Sequence, residues 1–315
     1  MAYSNAQNNT GDTLALITGG CNVTNDISVK SVEVYPRTEN CTVPDLPLRR
    51  RRHTTFLTSD PSPSVAICGG VEQGVWTSAS CLVLDQANQV WNDTIMGSLT
   101  MARENGAAVT LNHVGVFIIG GEGTSKTTSE FLAAGIMQWQ QGPNIPVNME
   151  RPCAVAISAS GFLAIYHDNI REFDVVTAGP ISSQGWKSAS TWPKLKTSRA
   201  GFPGCAKLGQ KVIVAGGWSQ NRVGEWTEIL DLVTRQVTQG GNLNAPRHWF
   251  HLATIREGGV QKIFALAGRT NGFEFISTVE EWVEESSTWK AADNLTLSRG
   301  LFGTVVLPRE LLCPA

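Results

Sequence analysis

The chain lacks several features that mark common classes of protein. Charged residues make up 17% of its 315 residues and the net charge is −2 at pH 7, so it has no basic footprint for nucleic acid. No apolar run approaches the roughly 18 residues that cross a membrane as a helix. The polar start, residues 1–10, also lacks the apolar segment of a secretory signal. We expect a disordered tail over residues 1–10, no membrane span and no nucleic-acid partner.

The motifs of common enzymes and metal sites are also missing. The sequence contains no Gly-x-Ser-x-Gly nucleophile elbow, no His-Glu-x-x-His, no phosphate-binding loop and no dinucleotide fingerprint. It has seven cysteines, but none of them form a Cys-x-x-Cys pair of the kind that holds structural zinc. We therefore expect no metal and no cofactor.

What the sequence does contain is a short apolar run that ends in a glycine pair and recurs about every fifty residues. Clear copies end at Gly19-Gly20, Gly69-Gly70, Gly120-Gly121 and Gly216-Gly217, and two degenerate copies end at His167-Asp168 and at Gly268. Six copies at a near-constant period indicate a repeat architecture. We expect each glycine pair to let bulky residues such as Tyr35 or Trp91 pack against bare backbone.

Each interval holds four short strands separated by turn residues, which is the pattern of one blade of a β-propeller. The chain begins with the second strand of a blade, residues 14–18, and ends with a first strand within residues 299–307. We predict an all-β, six-bladed propeller over residues 11–310, in which the C-terminal strand completes the N-terminal blade. That pairing removes two exposed strand edges. Residues 311–315 are predicted to be a C-terminal tail.

The repeat also predicts a ligand-binding face. In an antiparallel blade the connections alternate sides, so the loop before the first strand shares a face with the loop between strands two and three. An arginine ring with aromatic neighbours suits an anionic ligand, because guanidinium binds carboxylate in a bidentate fork. The alternative is that an arginine present once per repeat holds the connection between blades. The candidate binding residues on this face are Arg52, Arg103, Arg151, Arg199, Arg247, Arg299, Trp76, Trp218, Arg222, Arg269 and Phe273.

Taken together, the apolar strand, glycine pair, downstream aromatic, tryptophan and arginine-led strand resemble the kelch repeat over residues 11 to about 308. The segments 41–47, 52–54, 68–70, 80–82 and 151–154 are similar to extracellular invertebrate kelch-type proteins. The resemblance implies a face that binds partner peptides, often acidic ones, and an oxidising compartment. In that compartment Cys68 and Cys81 are the first candidates for a disulfide, and Cys153 and Cys205 the second. The alternative is that these cysteines are small buried apolar side chains.

We therefore predict a non-catalytic binding module for an anionic peptide or glycan. One alternative is a cofactor-free sugar epimerase or mutarotase that acts on an acidic sugar, with Glu104 or Glu150 as the base. Another is a structural or filament-associated protein. An extracellular location is expected, with a cytoplasmic one as the alternative. Acceptor motifs for N-glycosylation occur at Asn8, Asn22, Asn40, Asn92 and Asn294.

Overall fold

The computed structural model describes residues 11–22, 27–38, 41–59 and 63–313. Nearly all regular structure in these ranges is β, and the sheets form six blades in a ring, which confirms the predicted fold. In this part of the chain no helix is long and apolar enough to span a bilayer. The predicted tail over residues 1–10 lies outside the described residues.

Three blades come from the two ends and the first half of the chain, and their strands run from the central axis outwards. Blade 1 consists of Gly303–Pro308, Thr13–Thr18 and Val32–Tyr35. Blade 2 consists of Thr54–Leu57, Val65–Cys68, Cys81–Asp85 and Val90–Asn92. Blade 3 consists of Ala107–Leu111, Gly115–Ile119, Ser129–Ala133 and Gln140–Gln141, with a short 3-10 helix at Gly123–Thr127.

The other three blades follow in chain order. Blade 4 consists of Cys153–Ala156, Gly161–Tyr166 and Asn169–Asp174, followed by 3-10 helices at Ser183–Gly185 and Ala189–Thr191. Blade 5 consists of Gly204–Leu208, Lys211–Ala215, Thr227–Asp231 and Val237–Gly240. Blade 6 consists of His251–Glu257, Val260–Arg269, Phe275–Val283 and Thr288–Ala292. Two small ribbons pair Arg50–Arg51 with Val71–Glu72, and Trp218–Ser219 with Arg222–Val223.

The ring closes as predicted, by pairing of the two ends of the chain. The strand Gly303–Pro308 pairs antiparallel with Thr13–Thr18, with Thr18 opposite Gly303 and Thr13 opposite Pro308. A short helix, Arg309–Leu312, follows. Its Leu312 is buried in the core of blades 1 and 2. The segment 311–313, predicted as part of a tail, therefore packs on the propeller.

Three disulfides tie the described part of the chain together. The predicted pairs Cys68–Cys81 and Cys153–Cys205 are both present. A third, between Cys41 and Cys313, joins segments 272 residues apart in sequence and lies beside the ring closure. The sequence had not indicated this third pair, because Cys313 follows the last strand and has no place in the repeat.

The core lies between neighbouring blades and is built mainly from the second strands. All five residues of Gly115–Ile119 are buried, because a strand in the middle of a blade is covered by neighbouring blades on both faces. Phe117, for example, packs 5.4 Å from the rings of both Phe162 and Phe173 in blade 4. Burial on both faces explains why the repeat appears in the sequence as an uninterrupted apolar run.

The glycine pairs receive backbone from the next connection between blades. Gly69 has φ +71°, and a Cβ there would lie 2.5 Å from the carbonyl oxygen of Arg103. The amide of Gly70 donates to that same carbonyl at 2.7 Å. Only glycine accepts this conformation and this approach together. Neither Tyr35 nor Trp91 is among the nearest neighbours of a glycine pair; the aromatic residues that pack there are Phe250 at Gly216 and Phe302 at Gly20.

Candidate ligand-binding site

Five arginines occupy equivalent positions in five blades and lie inside them. In blade 5, Arg199 donates from Nε to the carbonyl of Gly216 at 2.9 Å and pairs with Glu228 at 2.5 Å. Neither side chain is more than 2% exposed. Burial lowers the pKa of the Arg199 guanidinium, and the charge of Glu228 opposes that shift. These buried arginines are Arg50, Arg103, Arg199, Arg247 and Arg299.

Each buried arginine pairs with a glutamate and with backbone carbonyls of its own blade. The pairs are Arg50–Glu72, Arg103–Glu130, Arg199–Glu228, Arg247–Glu280 and Arg299–Glu33. Four of these arginines had been placed among the candidate binding residues, namely Arg103, Arg199, Arg247 and Arg299. Their guanidinium groups are enclosed and already bonded, so they do not reach a ligand at the surface. This arrangement matches the alternative in which the repeated arginine holds the connections between blades.

The other two candidates in the arginine ring, Arg52 and Arg151, do not occupy this buried position. In blade 2 it is filled by Arg50, two residues before Arg52, and in blade 4 the buried Met149 precedes Arg151 by the same interval. The sequence has four consecutive arginines at 49–52, and any of them could match the repeat spacing of about fifty residues. The spacing alone therefore did not select Arg50. Arg52 and Arg151 consequently lie two residues further along, at the centre of the ring.

The first strands of all six blades converge on a funnel along the central axis. Its cavity measures about 200 Å³, and every blade contributes four consecutive residues to the wall. The first of the four in each blade has a left-handed backbone with φ between 49° and 58°. These rim residues are Arg52, Asn105, Arg151, Phe202, Trp249 and Leu301.

Backbone hydrogen bonds link the rim residues over half of the ring. Leu301 donates to the carbonyl of Trp249 at 3.0 Å, Arg52 to Leu301 at 2.8 Å, and Asn105 to Arg52 at 2.8 Å. A left-handed conformation costs a non-glycine residue about 1–2 kcal/mol. The surrounding structure therefore holds these side chains in fixed positions around the funnel, as is common at binding sites.

The rim is chemically divided into a polar half and an apolar half. Arg52, Asn105 and Arg151 come from blades 2 to 4, and Phe202, Trp249 and Leu301 come from blades 5, 6 and 1. The guanidinium of Arg151 lies 4.7 Å from the ring centroid of Phe202, where the two halves meet.

The two rim arginines each contact a carboxylate but stay partly open to solvent. Arg52 pairs with Glu104 at 3.1 Å, with 23% of its side chain exposed. Arg151 donates from Nε to Glu122 and is 37% exposed. Among the described residues, neither Nη1 nor Nη2 of Arg151 takes part in a hydrogen bond. Both terminal nitrogens of this guanidinium are therefore open to a ligand.

Beside the apolar half, Arg269 lies among three aromatic rings. Its guanidinium is 4.7 Å from the centroid of Trp249, 4.8 Å from Phe273 and 5.3 Å from Phe275. Its Nε donates to the carbonyl of Phe273 at 3.1 Å. Within the described ranges it has no carboxylate partner. The structure therefore brings the predicted residue Arg269 into contact with the rim residue Trp249, and the predicted residue Phe273 into contact with Arg269.

The remaining candidate binding residues, Trp218, Arg222 and Trp76, lie at different distances from the rim. Trp218 packs on His248 at 5.4 Å, and His248 in turn stacks on Trp249 at 4.5 Å. Arg222 lies over Trp226 on an outer loop of blade 5. Trp76 is 88% exposed in the corresponding loop of blade 2. Trp218 therefore extends the rim through His248, whereas Arg222 and Trp76 lie on separate loops.

Two buried histidines, His53 and His248, lie at or beside the funnel and are neutral at physiological pH. Burial is the main cause that lowers the pKa of both His53 and His248 to about 3. His251 also lines the funnel, but it is exposed there. For His248, the charges of Arg269 and Arg151 add to this effect. The positive charge at the funnel mouth therefore comes from arginine alone.

The two carboxylates of the catalytic alternative, Glu104 and Glu150, are not part of the funnel wall. No aspartate or glutamate occurs among the funnel-lining residues. Glu104 is paired with Arg52, and the bond from Lys126 lowers the pKa of Glu150. Neither carboxylate is therefore suited as a general base in the funnel. Within the described residues no cluster of three or more His, Cys, Asp or Glu side chains could hold a metal ion.

Sequence reasoning missed four of the six rim residues, Asn105, Phe202, Trp249 and Leu301. They are chemically unlike one another, so no residue pattern marks them. Their shared feature is a left-handed backbone, which only glycine and, more weakly, asparagine signal in a sequence. Their position relative to the repeat could have indicated them. Each rim residue follows the buried arginine, or Met149 in blade 4, by two or three residues.

Comparison with known proteins agrees with this architecture. No protein-family model matches the chain. Over 130 residues it is 22% identical to the kelch repeat-containing protein kel-10 of Caenorhabditis elegans. The match covers 41% of this chain but only about a fifth (22%) of the length of that relative. The repeated glycine pair and buried arginine, the closed ring of six blades and this match support a kelch-type β-propeller.

Proposed function

We propose that this propeller is a non-catalytic binding module that takes an acidic peptide segment of a partner protein at the mouth of its funnel. The observation that carries the proposal is the divided rim, with arginine and asparagine on one half and aromatic and aliphatic side chains on the other. Kelch-type propellers are typically protein-binding modules, which favours a peptide over a glycan.

The rim supplies both parts of such an interaction. A carboxylate is a good match for the two terminal nitrogens of Arg151, because guanidinium donates to both oxygens in a fork. Phe202 and Trp249 offer rigid apolar area for a neighbouring side chain of the same peptide. A cavity of about 200 Å³ admits one or two side chains, so the rest of the partner would spread over the surrounding loops.

Binding can be tested with labelled peptide libraries and two variants of the protein, Arg151→Gln and Lys211→Gln. The probes are fluorescent ten-residue peptides, random except for two central positions that are Glu in one library and Gln in the other. We expect preferential binding from the Glu library, measured by fluorescence anisotropy. Arg151→Gln should weaken it at least about tenfold, because a hydrogen bond to a charged group contributes about 1.5–3 kcal/mol.

The matched control is Lys211→Gln, which removes one positive charge on the outside of blade 5. Lys211 is 43% exposed and pairs with Glu284 at the surface. The Lys211→Gln variant should bind both peptide libraries with the same affinity as the parent protein. Equal binding of the two libraries, or equal affinity of the Arg151 variant and the parent, would refute the peptide proposal. Binding of acidic oligosaccharides such as hyaluronan fragments, without binding of either library, would favour the glycan alternative.

We also propose that the protein matures in an oxidising compartment and carries N-linked glycans. Six of its seven cysteines are paired, and structural disulfides persist mainly in secreted proteins. Asn294 is exposed and Asn92 half-exposed, whereas Asn8 and Asn40 lie outside the described residues. Glycosidase treatment of protein from secreting cells should reduce its mass. Protein that stays intracellular with reduced cysteines would contradict the proposal.

A further inference from the structure

One of the three disulfides forms part of the funnel wall. Cys153 and Cys205 lie on the first strands of blades 4 and 5 and are joined with their Cα atoms 6.0 Å apart. Both line the funnel and are half-buried. By contrast, Cys68 and Cys81 inside blade 2 are 1% and 2% exposed. The funnel wall therefore includes both residues of the first disulfide and neither residue of the second.

The Cys153–Cys205 disulfide joins two blades whose rim residues share no backbone hydrogen bond. Among the rim residues, backbone hydrogen bonds connect blades 6, 1, 2 and 3. Within the described chain, none connects Arg151 or Phe202 to a neighbouring rim residue. At that seam the rim is held by the contact of Arg151 with Phe202, and two or three residues further along by the disulfide.

We infer that Cys153–Cys205 is a thiol-exchange site that accepts small anionic thiols through the funnel. Thiol–disulfide exchange depends on access to the sulfur and on the thiolate form of the attacking thiol. The funnel provides the access, and Arg151 and Arg52 at its mouth attract a thiol that carries a carboxylate. The inference concerns the disulfide and does not depend on which ligand the rim binds.

The reaction balances with two molecules of thiol as the reductant. The first thiolate attacks one cysteine sulfur, forms a mixed disulfide and releases the other cysteine as a thiolate. A second thiolate attacks the external sulfur of the mixed disulfide and releases the first cysteine. Two electrons pass to the protein, two thiols become one small disulfide, and the two cysteine thiolates take up the two protons. The covalent link between blades 4 and 5 is then broken.

The three disulfides allow an internally controlled test on the native protein. The protein is incubated with 3-mercaptopropionate or, separately, with 2-mercaptoethylamine, then alkylated at timed intervals and mapped by mass spectrometry. We expect Cys153–Cys205 to be reduced at least about tenfold faster than the buried Cys68–Cys81, which must wait for local opening. A mixed disulfide of the small thiol on Cys153 or Cys205 should appear first.

Charge selectivity is measured as the reduction rate of Cys153–Cys205 divided by the reduction rate of Cys41–Cys313 in the same sample. Cys41–Cys313 is half-buried but lies outside the funnel, so dividing by its rate removes the intrinsic reactivity of each thiol. The ratio should be about fivefold higher with the anionic thiol at low salt, and should fall at 1 M salt, where charges are screened within about 3 Å. Arg151→Gln should remove most of this preference, and Lys211→Gln should not.

Three outcomes would overturn the inference. They are reduction of Cys68–Cys81 as fast as Cys153–Cys205, a ratio that is the same for both thiols, or a preference that survives in the arginine variant. If Arg151→Gln does not fold, as judged by circular dichroism, Arg52→Gln replaces it. Failure of the peptide libraries to bind would leave these rates unaffected, so the two proposals are tested separately.

Discussion

Replacement of Arg247 by methionine tests whether the buried arginines hold the blades together. Arg247 is fully buried and donates to the carbonyls of Ala267 and Thr278, both at 2.9 Å. It also pairs with Glu280 at 2.5 Å. Methionine fills a similar volume but removes the donor to both carbonyls and the positive charge beside Glu280, whose side chain is 4% exposed. That carboxylate keeps only the hydrogen bonds from Asn244 and Ala245.

The expected loss follows from the cost of an unpaired buried charge. Breaking a buried ion pair by removing one partner costs about 3–5 kcal/mol. With about 2.1 cal/mol/K of unfolding entropy per residue, a loss of about 4 kcal/mol lowers the melting temperature of this chain by about 6 °C. Urea unfolding followed by tryptophan fluorescence and calorimetry measure the two quantities. Arg235→Met is the control, since Arg235 is exposed and stacks on Trp192, and it should cost less than about 1 kcal/mol.

A double-mutant cycle separates the charge from the packing. Glu280→Gln keeps the shape of the glutamate without its charge, so Arg247→Met should be less damaging in that background. We expect a coupling of at least about 2 kcal/mol between the two sites. Additive effects, or a loss below about 1 kcal/mol for Arg247→Met alone, would refute the assignment of a structural role.

Two further predictions concern stability. The buried His53 and His248 have folded pKa values of about 3, below the ordinary 6.5, so between these values the unfolded chain binds more protons and stability falls as pH falls. From pH 7.5 to 5.5 the two together should cost about 3 kcal/mol in urea unfolding, and an unchanged midpoint would contradict this. Gly69→Ala should cost at least about 3 kcal/mol and Gly209→Ala about 1. Both glycines have positive φ, but only at Gly69 does the added Cβ meet a backbone oxygen, so equal losses would show that this contact is unimportant.

The fold was readable because burial on both faces of the second strands repeats along the chain. The apolar run and glycine pair occur once per blade, and a lone first strand at the C-terminus has one available partner, the strand Thr13–Thr18. Two disulfides were also predictable, since Cys68 and Cys81 directly face each other on adjacent strands. Cys153 and Cys205 lie on first strands of neighbouring blades.

The site was only partly readable. The face was predicted from the alternation of connections, and Arg52 and Arg151 lie at the funnel mouth on that face. The assignment of Arg103, Arg199, Arg247 and Arg299 to the surface was not supported. A repeated arginine has the same appearance in the sequence whether it binds a ligand or the backbone of its own blade.

The sequence by itself determined the number of blades, the closure of the ring and the face with the arginine-led loops, because these depend on local periodicity and on chain order. Only the tertiary structure decided which arginines are enclosed and which side chains meet at the axis. The rim combines one residue from each of six blades that are distant in sequence, and a shift of two residues moves an arginine from the interior of a blade to the funnel. That shift depends on backbone conformation at single residues, which spacing along the chain does not specify.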